Sequence, residues 1–146
     1  MSLVSTNEVL NRILVLHSRS LPMYLSYAPA RQQEEATESA AVLFQIVADQ
    51  KKSIDRLANF VLENGGTVDN GEFPMSFTAL HDLSVKYVIN LCRERQVTVI
   101  AALEKLTEML ALAPLAQALA REVLGEAKGH LQNLQELALC QVPAAV

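Results

Sequence analysis

The sequence predicts an all-α protein, and more narrowly an antiparallel four-helix bundle, from three observations. Hydrophobic residues make up 51% of the chain but aromatics only 5%, and Ala and Leu dominate. Both lose little freedom in a helix, whereas β-branched residues lose more. Only five Gly and five Pro occur, too few for the frequent turns of a sheet protein. Most of those few fall at boundaries that divide the chain into four long segments of helical periodicity, with Pro22, Gly125 and Gly129 inside segments. A length of 146 residues suits one domain spanning residues 1–146, large enough to bury a core without a disulfide or metal.

The first helix is expected over about residues 6–28, with Ser5, Thr6 or Asn7 as N-cap, since each side chain can accept from an orphan backbone N–H. Pro22 removes a hydrogen bond to Ser18, so a kink or break is expected there, and Ala28-Pro29 ends the segment. The second helix is expected over 34–64. It opens on acids that suit a helix N-terminus and closes at Asn64-Gly65-Gly66, where glycine can take the left-handed conformation. Residues 65–75 lack helical periodicity and have the length of a crossover loop between helices 2 and 3. The third helix is expected over 77–112 with Ser76 or Thr78 as cap. Ala113-Pro114 then turns the chain into a fourth helix over 115–139, proline being tolerated in a first turn.

Composition excludes several function classes. A net charge of −4 argues against a nucleic-acid binder, which would show a basic stripe. No apolar run approaches the ~18–20 residues of a membrane span, and the N-terminus has no signal-peptide pattern. Cys92 and Cys140 belong to no Cys-x-x-Cys pair, so a reduced, cytoplasmic protein with two free thiols is expected. There is no Gly-rich phosphate loop, no Gly-x-Ser-x-Gly elbow and no His-Glu-x-x-His run.

Turning each helix by ~100° per residue places its apolar stripe toward a core. Polar residues enter that stripe near the middle of every helix: His17 on the first, Gln50 and Ser53 on the second, Arg95 and Gln96 on the third, His130 at the edge of the fourth. Such a layer must find hydrogen-bond partners. It serves either as a satisfied polar layer that fixes register or as a site. Glu126 and Asp49 lie at the flanks of their stripes, and Glu94 points away. His81 is read as a solvent-facing or capping residue.

The stretches Leu10-Asn11-Arg12-Ile13-Leu14 and Tyr24-Leu25-Ser26-Tyr27-Ala28 resemble the first helix of ferritin-like proteins, bacterioferritin in particular. Gly125-Glu126-Ala127-Lys128-Gly129-His130-Leu131 is similar to the stretch around that family's last metal motif. The resemblance implies a di-iron centre built from one Glu on each of two helices and Glu-x-x-His on the other two. This sequence departs from it: His17 stands in the first slot, Gln50-x-x-Ser53 in the second-helix motif, and Ala127-x-x-His130 in the fourth. An inward Arg95 would also repel a metal pair, so ferroxidase activity is not expected.

Two expectations follow. The first is a non-catalytic ferritin-like bundle, with no cofactor, acting through protein–protein contact. Self-association as a homodimer would use the i, i+4 face of Leu83, Tyr87 and Leu91. The alternative is a protein binding a single Zn or Fe ion or a small ligand at the central polar layer. There His17, His130 and Glu126 would be the ligands, with Asp49 in reach.

Overall fold

The computed structural model describes residues 5–27, 37–80 and 84–140. Among them there are helices and no strand, as the composition requires. Five α-helices occur: α1 (Thr6–Ser18), α2 (Leu21–Tyr27), α3 (Thr37–Glu63), α4 (Val85–Glu108) and α5 (Pro114–Cys140). A 3-10 helix (Met75–Leu80) precedes α4. No helix among the described residues is long and apolar enough to cross a membrane.

The first expected helix is two. The break falls at Arg19-Ser20, just before Pro22. Ser20 Oγ accepts the Met23 N–H at 3.2 Å, so α2 restarts with its own serine cap and the proline sits in its first turn, where no N–H partner is needed. Ser5 caps α1 by accepting the Glu8 N–H at 3.1 Å.

The third expected helix starts later and ends sooner than its periodicity indicated. Residues 75–80 form the 3-10 turn, with Phe77 and Leu80 buried. The α-helix begins at Val85 under a Ser84 cap, not under Ser76 or Thr78, and it ends at Glu108 rather than 112. A 3-10 segment keeps apolar side chains at three-residue spacing, which periodicity alone does not distinguish from α. His81 and Leu83 lie outside the described residues, as do the side chain of Cys140 and the expected start of the second helix at 34–36.

The end of α3 follows from its glycines. Gly65 has φ +78°, and Gly66 N donates to Val61 O at 2.8 Å, a Schellman closure that satisfies an orphan carbonyl. The chain then runs along α1, held by one polar face of that helix. Asn64 Nδ2 donates to Asn7 Oδ1 at 3.1 Å, Asn11 Nδ2 to Thr67 O at 2.9 Å, and Asp69 N to Asn11 Oδ1 at 2.9 Å. At the C-cap of α1, Arg19 Nε donates to Asn70 O at 2.8 Å and Gly71 O at 3.0 Å. Gly71 has φ +63°, and a Cβ there would stand 2.7 Å from Val15 Cγ1. Only glycine fits both constraints.

α4 packs most extensively on α5 and α1 on α3, and α3 also packs along α5. The larger core cluster joins Val9, Ile13, Leu57, Val61, Leu103 and Val123. A second gathers Leu21, Leu25, Ile46, Phe77, Val88 and Leu134. Buried polar groups include a member from each of four helices.

Candidate functional site

Of the polar residues that helical phase placed among the apolar stripes, all but Arg95 are buried: His17, Gln50, Ser53, Gln96 and His130 are each no more than 5% exposed. Their partners explain how burial is tolerated. Ser20 Oγ donates to Gln50 Oε1 at 2.8 Å. Gln96 Nε2 donates to the Ala127 carbonyl at 3.0 Å, across α4 and α5. His17 Nδ1 lies 2.9 Å from Ile13 O, one turn back on α1. A carbonyl can only accept, so Nδ1 carries the proton and the lone pair of a neutral imidazole sits on Nε2.

Burial pushes the His17 pKa below the ordinary histidine value. The Ile13 bond opposes that shift, and the charge of a protonated His130 adds to it. His17 is therefore neutral near pH 7, and the two imidazoles are near enough to sense each other electrically.

The centre of the site is the contact between α3 and α5. His130 Nε2 lies 2.9 Å from Asp49 Oδ2, and Ser53 Oγ donates to Glu126 Oε2 at 3.3 Å. Asp49 and Ser53 are one turn apart on α3, as are Glu126 and His130 on α5. Two i, i+4 pairs thus face each other across the seam. Gln45 Nε2 also donates to Asp49 Oδ1 at 2.9 Å, which holds the carboxylate from the helix turn before it. The side chain of His130 is 7% exposed and that of Asp49 25%, so the contact is sheltered but reachable from solvent.

Ligand-type atoms of Asp49, Glu126 and His130 all lie within 4.8 Å of one another. Of the three residues expected as metal ligands, the structure thus groups Glu126 and His130 and supplies Asp49 as their neighbour. His17 is not part of that group. The helical wheel left Asp49 and Glu126 at the flanks because it locates Cα atoms. Both side chains reach the seam from partly buried positions.

Arg95 corrects the expectation of an inward charge near the site. It is exposed, and its guanidinium lies 4.6 Å from the Phe77 ring centroid. Its Cα sits on the inward arc, but the long stem carries the charge outward onto an aromatic face. Glu94 is exposed as expected, and Cys92 is buried, with its thiol pushed up to about 12 by burial despite the opposing charge of Arg95. That value makes Cys92 a packing residue rather than a nucleophile.

Of the face expected for self-association, Tyr87 is 54% exposed, while Leu91 is half-buried against the second core cluster. No family model, no curated protein and no solved structure matches this chain.

Proposed function

We propose that this chain is a four-helix bundle of ferritin-like layout, antiparallel with a long connection between α3 and α4, that binds one divalent transition-metal ion instead of a di-iron pair. In this reading α1 and α2 together form one arm of the bundle, and α3, α4 and α5 form the others. The observation that carries the metal reading is the convergence of Asp49, Glu126 and His130 from two helices within 4.8 Å.

Ligand atoms at ~2.0–2.2 Å from a tetrahedral ion stand about 3.4 Å apart, so the group closes on an ion with rotamer-scale movement. Two carboxylates offset the charge of a divalent cation, and one imidazole gives the borderline donor set that suits Zn²⁺ or Fe²⁺. The ion would replace the Nε2 proton of His130 and exchange the direct Asp49–His130 bond for two metal bonds. Ser53 would hold Glu126 in place, as hydrogen-bonded neighbours orient ligating carboxylates.

The test is elemental analysis after loading with Zn²⁺ or Fe²⁺ and dialysis. About one ion per chain is expected for the native protein. His130→Ala and Asp49→Asn should each lose it while keeping the helical circular dichroism. A native protein that retains no metal would overturn the reading.

Self-association through the exposed Tyr87 face is a second reading. It predicts a dimeric mass by light scattering that reverts to monomer in Tyr87→Lys, and a monomeric native protein would sink it.

A further inference from the structure

A second group of polar residues converges away from the α3–α5 seam. Where α1 breaks before α2, a cleft of about 200 Å³ opens against α4. Arg19 and Arg95 line it from different elements, and Ser20, Leu21, Pro22, Cys92 and Gln96 are buried members of its lining. Much of the lining is apolar, including Val15, Leu16, Leu21, Pro22 and Val99.

Among the described residues, both guanidinium groups are held in place without a carboxylate. Arg19 lies over Phe73 and Arg95 over Phe77, each at 4.6 Å from the ring centroid. Arg19 is further tethered by the two bonds from its Nε, and among the described residues its terminal nitrogens make no hydrogen bond. Among the described residues, Arg95 makes no hydrogen bond and no ion pair. Stacking uses the faces of a guanidinium and leaves its in-plane N–H groups available, a fork that matches a carboxylate. Glu72 also lines the cleft, so its charged lining residues are two arginines and one glutamate, a positive balance in a chain of net charge −4.

We infer that this cleft is a binding site for a small organic carboxylate with an apolar body, the carboxylate held by Arg95 and Arg19 and the body against the apolar wall. Inorganic oxyanions fit less well, because much of the wall would meet no partner and apolar burial would contribute nothing. The volume limits the ligand to a small ring or a short chain. The inference stands apart from the metal reading, since no residue of the Asp49, Glu126 and His130 group lines the cleft.

Benzoate serves as the probe, followed by amide chemical shifts in the native protein and in His130→Ala. Saturable shifts are expected at residues around the cleft, unchanged by His130→Ala. Arg95→Gln should weaken binding about tenfold or more, as loss of a charge-assisted pair does, and Arg95→Lys should recover part of it. Arg95 is exposed on α4, so these variants are expected to keep the native helical circular dichroism. Neutral benzamide should bind at least about tenfold more weakly than benzoate. The inference is overturned if benzoate produces no saturable shift at the cleft, if benzamide binds equally well, if Arg95→Gln leaves affinity unchanged, or if inorganic phosphate binds as tightly as benzoate.

Discussion

The contact between α3 and α5 is two different surfaces along one pair of helices. Toward the end of α3 and the start of α5, Leu57 and Val61 share a core with Ala116, Ala120 and Val123, all essentially without exposure. Around the middle of both helices, the same seam is made by Asp49, Ser53, Glu126 and His130 through cross-helix hydrogen bonds. Apolar packing is strong but non-directional, and it tolerates small slides if volume is kept. Hydrogen bonds between helices do not tolerate a slide, because geometry fails within a fraction of a residue's rise. The apolar stretch therefore supplies most of the stability, and the polar stretch specifies register and gathers ligand-type atoms.

That division can be broken at four places. The largest effect is expected from Leu103→Ala, which truncates a side chain of zero exposure in the larger cluster. It should cost about 2–5 kcal/mol in urea unfolding. A cost below that of the polar variants would show that the apolar region is not the main source of stability.

Next comes Ser20→Ala, at about 1–3 kcal/mol, because it removes the cap on Met23 N and strands Gln50 Oε1, two losses from one oxygen. A neutral result would mean that the polar layer is hydrated rather than directly bonded.

The third concerns pH. The His17 pKa is lowered by folding, so the unfolded chain binds the proton more readily. Its contribution is fully present above the unfolded value near 6.5 and is lost as pH falls from there toward the folded value. Stability should therefore fall from pH 7.5 to 5.5 more steeply in the native protein than in His17→Gln, by up to ~1.4 kcal/mol per pH unit. Equal slopes would place His17 in contact with solvent. The smallest effect belongs to Glu122→Gln, which removes the ion pair with Arg56 on the outer side of the same seam. Both side chains are more than half exposed, so the change should stay below about 1 kcal/mol and vanish at high salt.

Much of this molecule is legible from residue order. Helical periodicity singles out His17, Gln50, Ser53, Gln96 and His130, because a polar residue on an apolar stripe has few places to go. Pro22, Gly65 and Pro114 marked real chain breaks for reasons of local backbone geometry. Three features were not legible. The 3-10 turn at residues 75–80 and the Ser84 cap depend on where Phe77 and Leu80 find a core. The outward course of Arg95 depends on the Phe77 ring brought against α4. The joining of Asp49 to His130 depends on the mutual rotation of α3 and α5.

The sequence by itself therefore determined the all-helical class, the positions of the main breaks and the burial of His17, Gln50, Ser53, Gln96 and His130, since backbone preference and the 3.6-residue repeat are local properties. Tertiary structure decided which of those residues meet. It left His17 out of the Asp49, Glu126 and His130 group, and it set two arginines on neighbouring aromatic faces. The cause is that side chains on flanks and long stems are positioned by the packing of one helix on another, a relation between residues as much as 81 apart in the chain that no local pattern encodes.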